Sequence, residues 1–235
     1  MPTTGASLPA ALIVGGTGGL GIEIARSMVE RGVHVTITGR DTDRARDVAA
    51  QLGPDVVALG LDLGDPASVE SGLASSGAVD HLVIAALEPA FISISDFDIA
   101  AATRVITVKL VGYAAVVETL RDRLSADASV VLFGGAGAAR PYPGSTMLST
   151  FNAGISGLVR TLAVELAPLR INALHPGVVG DSPRWRDVPD IPAIARTPLG
   201  RLVTMAEIVD ATWFLLTNTG VNAFDLAVDG GYTTT

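Results

Sequence analysis

Cysteine is absent from the 235-residue chain. That excludes disulfides, thiolate nucleophiles and cysteine metal sites, and it fits a reducing cytoplasm. A net charge of -8 argues against a nucleic-acid surface, which needs a basic patch. The three histidines, at 34, 81 and 175, share no ligand spacing, so no metal is expected. No unbroken apolar run approaches the ~20 residues that span a bilayer, so no membrane is expected either. The head "MPTTGASLPA" lacks the basic start of a signal peptide and reads as a flexible tail over 1–10. Charged residues make up only 17% and apolar ones 49%. That balance suits a buried parallel sheet and a helical subunit interface.

What is present alternates. "AALIVGG", "VHVTITGR", "VVALGLDL", "DHLVIAAL", "ASVVLFGG" and "LRINALHPG" read as strands that each run into a loop. Between the first of them lie helical patterns: "GGLGIEIARSMVERG", apolar at Leu20, Ile24 and Met28, and "DTDRARDVAAQLG", opened by Asp41 or Thr42. Strands alternating with helices imply right-handed crossovers. The expectation is a single α/β domain over 11–235, a Rossmann-like doubly wound parallel sheet in three layers. Prolines at 183, 189, 192 and 198 mark a substrate lid around 180–200 rather than a linker, because "TMAEIVDATWFLLTN" directly resumes the helical pattern.

The first chemistry lies in "LIVGGTGGLGIEIA", which sets Gly15, Gly19 and Gly21 between a strand and a helix. Glycines there permit a tight turn and bring backbone N–H groups and a helix N-terminus against a pyrophosphate. At the first strand–helix junction of an alternating chain, this is a strong dinucleotide signal.

The G-x-x-x-G-x-G loop resembles that of the short-chain dehydrogenase/reductase family. "LDLGDPASVE", "INALHPGVV", "TMAEIVDATWFLL" and the closing strand "LAVDGGYT" resemble four further family stretches, with matching spacing. The resemblance implies a nicotinamide dinucleotide against Gly15, Thr17, Gly18, Gly19, Leu20 and Gly21, with Asp62 on the adenine amino group and Leu63 beside the ring. It places Ala85, Ala86 and Asn152 near the ribose, and Pro176, Gly177 and Val179 beside the nicotinamide. At the end of strand two the acidic position that holds a ribose 2′-OH is Gly39, followed by Arg40. An arginine offers a 2′-phosphate a permanently charged fork, so NADP(H) is expected over NAD(H). Gly18, where the family often carries a second cation, weakens that preference.

The departures are as informative. In the family register the four catalytic positions hold Lys109, Gly135, Leu148 and Asn152 in place of asparagine, serine, tyrosine and lysine. No shift restores a Y-x-x-x-K pair, because Lys109 is the sole lysine and Tyr113 and Tyr142 are followed at that spacing by Val117 and Thr146. The usual phenol, its pKa lowered by a neighbouring ammonium, is therefore missing. Lys109, alone in the apolar stretch "RVITVKLVGYAAVVETL", is the catalytic candidate. It either reaches the active-site floor with a burial-lowered pKa or snorkels to water. Tyr142 with His175 is the second-choice proton relay, while Ser145, Thr146 and Ser149 read as cap and loop hydroxyls.

Three readings stay open: an NADP(H)-dependent oxidoreductase with a rebuilt site, a non-redox enzyme on the same scaffold, and a catalytically silent binder acting as sensor or partner subunit. Apolar stripes in "VVETLRDRL" and "ISGLVRTLAVEL" suit the homodimer or homotetramer that the resemblance implies. The small-molecule substrate is unknown, apolar or anionic.

Overall fold

The computed structural model describes residues 8–88 and 91–234. Most of the expected 1–10 tail lies outside the described residues, and Ala10 already opens the first strand. The chain runs β1 (Ala10–Val14), α1 (Gly19–Glu30), β2 (His34–Gly39), α2 (Thr42–Leu52), β3 (Val57–Gly60), α3 (Val69–Gly72) and β4 (Val79–Ile84). It continues through α4 (Ile99–Ile106), a π turn (Thr107–Val111), α5 (Gly112–Leu120), β5 (Leu124–Phe133), α6 (Thr146–Glu165), β6 (Arg170–Pro176), α7 (Met205–Thr217) and β7 (Asp225–Val228). The strands pair in the order β3-β2-β1-β4-β5-β6-β7, all parallel. This is the doubly wound sheet that the alternating pattern predicts.

Side-chain alternation along β1 builds the three layers. Leu12 and Val14 face a core shared with Tyr113, Val117 and Leu120 of α5 and Ile155 and Val159 of α6. Ala11 and Ile13 face the other core, with Ile24 and Met28 of α1 and Leu215 and Leu216 of α7. Of the two expected caps for α2 it is Asp41 that serves, its carboxylate accepting from the Asp43 and Arg44 N–H groups at 3.0 Å each.

Two stretches differ from expectation. β5 begins at Leu124 rather than Ala128, because Leu124 pairs with Val79 beyond an irregularity in the β4–β5 register. The helical stretch Ile99–Arg123, with a mean hydropathy of 1.5, is by length and composition able to cross a bilayer. Arg104 and Lys109 interrupt its apolar run, which hides it in the sequence. In the fold its inner face, Tyr113, Val116, Val117 and Leu120, packs on the sheet as a core helix does.

The order reverses between β1 and β4, so the loops after these strands part at the carboxyl edge and leave a crevice there. Its rigidity depends on both cores. Leu82, fully buried in the middle of β4, is the place to test this: Leu82→Ala is expected to cost about 2–5 kcal/mol. Urea unfolding of the variant checks it, and a loss below about 1 kcal/mol would show a core loose enough to refill the cavity.

Candidate active site

A cleft of about 870 Å³ runs along the carboxyl edge from β3 to β6. The residues that the sequence assigned to the cofactor, and the first catalytic candidate, Lys109, line it: Gly15, Thr17, Gly18, Gly19, Leu20, Gly21, Arg40, Asp62, Leu63, Ala85, Ala86, Lys109, Asn152, Pro176, Gly177 and Val179. Two glycines of the loop are required by contact. A Cβ on Gly15, whose φ is +87°, would stand 2.8 Å from the Ala86 backbone, and one on Gly21 would meet the Gly15 carbonyl at 2.1 Å. The first contact draws the β1 and β4 loops together; the second seats the start of α1 on its own turn.

At the β2–β3 end the charges are interlocked. Arg40 donates from Nη1 to Glu88 Oε2 at 3.0 Å, and Arg104 reaches the same oxygen at 3.4 Å and Asp62 Oδ2 at 3.6 Å. Asp62 Oδ1 accepts from the Gly64 N–H at 2.8 Å. Sequence reasoning missed Glu88, which shares Arg40 despite lying 48 residues away. It also missed Arg44. Its Nη2 donates to the Thr17 carbonyl at 3.4 Å and lies 3.7 Å from the place of a Cβ on Gly18. Arg44, in the first turn of α2, thus stands beside the glycine loop.

The floor is built around Lys109, which is 3% exposed. The snorkelling alternative does not hold, because the amine turns inward and donates to Tyr113 Oη at 2.9 Å. Tyr113 in turn donates to the Ala86 carbonyl at 2.8 Å. Nζ also lies 4.8 Å from the Tyr113 ring centre and 5.9 Å from that of Phe151. Burial lowers the pKa of the ammonium to about 7 and pushes that of the Tyr113 phenol up. The π turn falls on this residue, the kind of helix defect that often accompanies functional positions. Tyr113 gives no Y-x-x-x-K signal, since Val117 stands four residues after it. The signal present was the reverse, K-x-x-x-Y, which puts both groups on one helix face.

Opposite Lys109 the departures fit one another. A Cβ on Gly135 would stand 2.9 Å from the Asn152 amide, and one on Gly137 would stand 2.3 Å from a Leu148 methyl. Asn152 is buried, lines the cleft, and its Oδ1 has no hydrogen-bond partner among the described residues. A buried acceptor without a partner is uncommon and fits a hydroxyl donor from a bound molecule. With the glycine cradle, this fits a dinucleotide ribose and pyrophosphate.

The second-choice relay is overturned. His175 lies outside the cleft lining. Its Nδ1 accepts from the Gly135 N–H at 3.1 Å and its Nε2 donates to Asp225 Oδ1 at 3.0 Å, so both nitrogens are engaged. The tertiary contact with β7 that fixes it has no trace in local sequence. Tyr142 does line the cleft, but among the described residues no chain of hydrogen bonds joins it to His175. Ser145 takes the expected loop role, its Oγ accepting from the Tyr142 N–H and pairing with Ser149 Oγ, both at 2.9 Å.

A parallel sheet with a glycine cradle at its switch point defines a dinucleotide-binding α/β protein of the Rossmann type. A family model described as enoyl-(acyl carrier protein) reductase matches residues 15–233. The cis-4-hydroxycyclohexanecarboxylate dehydrogenase of Sinomonas cyclohexanicum is 33% identical, over 95% of this chain and 96% of that protein. A crystal structure of a putative betaketoacyl-ACP reductase superposes with a TM-score of 0.87 at 30% identity, covering 97% of this chain and 100% of that one. A 3-ketoacyl-(acyl-carrier-protein) reductase from Brucella melitensis complexed with NADH has a TM-score of 0.83 at 26% identity, over 96% and 98% of the two chains. The chain belongs to the short-chain dehydrogenase/reductase family, oxidoreductases that bind a nicotinamide dinucleotide and act on carbonyl or alcohol substrates.

Burying Lys109 has a measurable consequence. Its folded pKa lies below the unfolded one, so between about pH 7 and the ordinary lysine range the unfolded chain binds the extra proton. Stability therefore rises with pH through that window, and below it the folded state carries the whole desolvation cost. Lys109→Met is expected to raise the melting temperature more at pH 6 than at pH 9.5. An equal effect at both pH values would mean the amine is not desolvated.

Proposed function

We propose that this protein is an NADP(H)-preferring oxidoreductase that interconverts a carbonyl and an alcohol, with Lys109 in the place of the family's tyrosine as proton donor. The observation that carries this reading is the buried Lys109 ammonium on the cleft floor, held by Tyr113. When bound, the reduced nicotinamide supplies hydride to the carbonyl carbon. Lys109 Nζ gives its proton to the carbonyl oxygen, is left as the neutral amine, and is reprotonated from solvent. Tyr113, tied to the Ala86 carbonyl, orients the amine through its hydroxyl oxygen. Gly15, Gly19 and Gly21 with the start of α1 take the pyrophosphate, Asn152 Oδ1 a ribose hydroxyl, and Arg40 with Arg44 the 2′-phosphate. Asp62 and Leu63 bound the adenine, and Pro176, Gly177 and Val179 the nicotinamide. Residues 180–200, which wall the cleft through Ser182, Trp185 and Arg196, act as the substrate lid.

A homotetramer or homodimer belongs to the same reading, through the outer apolar side chains of the central helices, such as Val111 and Val164. So does a cytoplasmic location, in keeping with the lack of cysteine. The alternative, a silent binder, draws its support from Leu148, which lines the cleft and carries no proton.

Two measurements test the proposal. NADPH is expected to bind at least about tenfold more tightly than NADH, with Arg40→Ala abolishing the difference and Glu88→Gln, which releases Arg40, enlarging it. Equal affinities would remove the preference. Carbonyl reduction is expected to fall as pH rises through about 7, as Lys109 loses its proton, while alcohol oxidation rises. Lys109→Ala should lower turnover by about 10²–10⁴-fold with NADPH binding retained. An unchanged rate in that variant would take lysine out of the mechanism, and no turnover in the parent protein would favour the silent binder.

A further inference from the structure

We propose that Lys109 captures apolar aldehydes and ketones covalently, its amine condensing with their carbonyl carbon to a Schiff base on the cleft floor. The oxidoreductase reading uses the protonated amine; the capture goes beyond that reading and uses the neutral one. Neither depends on the other.

The hydrogen bonds around Nζ suit a cation with one donor better than a cation with three. An ammonium carries three N–H groups and no acceptor. Among the described residues Nζ has one acceptor, Tyr113 Oη at 2.9 Å, and no carboxylate pairs with it. The two carboxylates that line the cleft are held elsewhere, Asp62 by Arg104 and Glu88 by Arg40 and Arg104. In a residue only 3% exposed, two donors of an ammonium are then left without a protein partner, which is costly. A neutral amine leaves one donor and one lone pair, and the lone pair is what attacks a carbonyl. Burial favours the same state, lowering the pKa of the amine to about 7. The Tyr113 phenol, which burial pushes up, keeps its proton on the Ala86 carbonyl and adds no charge. A protonated Schiff base has a single N–H, which the one acceptor in reach satisfies. Its positive charge lies among the rings of Tyr113 and Phe151, whose centres stand 4.8 and 5.9 Å from Nζ.

The lining from the π turn, β5 and α6 suits a hydrocarbon body, with Val108, Phe133, Leu148 and Phe151. Desolvated lysines in such surroundings serve as Schiff-base nucleophiles. The Nζ lone pair forms the C–N bond while the carbonyl π pair moves to oxygen. That oxygen then leaves as water, taking the two hydrogens that the amine gives up. No oxidant or reductant is consumed, and water reverses the step.

The full chain is to be incubated at pH 7, without nicotinamide, with cyclohexanecarbaldehyde and cyanoborohydride, which reduces a Schiff base to a stable secondary amine. Peptide mass spectrometry follows the cyclohexylmethyl group, and with one lysine in the chain its position is unambiguous. Arg46→Lys, on the exposed side of α2, supplies an ordinary lysine as reference in the same tube. Lys109 is expected to be trapped at least about tenfold faster than the reference. About half of its amines are neutral at pH 7, against under ~1% for an ordinary lysine. Unfolding in guanidinium should erase the excess. Trapping no faster than at the reference, or an excess that survives unfolding, overturns the proposal. Carbonyl turnover with NADPH but no trapping refutes the capture alone. Trapping without turnover keeps the capture and refutes the oxidoreductase reading.

Discussion

An ammonium that cannot reach water must find an acceptor, and Lys109 finds the oxygen of Tyr113. That contact organises the floor of the cleft. The phenol is itself anchored to the Ala86 carbonyl, on the loop whose backbone touches the cofactor cradle at Gly15. A single buried chain of hydrogen bonds thus links the helix that crosses the sheet to the loop that opens the crevice. Removing the Tyr113 hydroxyl would leave the ammonium buried without this acceptor, which costs more than the bond itself contributes, whereas Tyr113 keeps its bond to Ala86 when Lys109 is replaced. The same burial that makes the amine costly to fold around brings its protonation to the range where a group can both give and take a proton.

Gly135, Gly137, Leu148 and Asn152 form a consistent set in space. Gly135 makes room for the Asn152 amide, and Gly137 makes room for Leu148. Restoring a serine at Gly135 alone would press its Cβ on that amide, so single reversions are opposed by their neighbours. His175 takes part indirectly. Held by Asp225 on β7, it accepts the Gly135 N–H and so fixes the backbone on which this packing depends. Among the described residues, the buried Oδ1 of Asn152, a cleft-lining residue, has no hydrogen-bond partner. A buried acceptor of this kind persists in a fold when a ligand completes it.

Charge along the cleft follows position in the sheet. Glu88 and Asp62 hold Arg40 and Arg104 near β2 and β3, while the loops after β5 and β6 present guanidiniums stacked on rings. The interlocked end also shows how a cation's effect is tempered: Arg40 already has a carboxylate partner, so any phosphate there competes with Glu88.

The family resemblance supplied most of the cofactor-facing residues, while strand and helix order and the glycine cradle were legible from the chain alone. Each rests on local periodicity or on a turn whose geometry admits few residue types, and strands that alternate with helices have one handed way to form a sheet. The lack of a Y-x-x-x-K pair was equally certain, since the sole lysine, Lys109, has Val105 four residues before it. What only the tertiary structure decided was which groups share space across long separations: Glu88 on Arg40, Arg44 beside Gly18, Asp225 on His175, and the inward turn of Lys109 onto Tyr113. Burial and hydrogen-bond partners are properties of the packed layers. A sequence names the donor and the acceptor, but only closure of the core removes the water that would otherwise satisfy both.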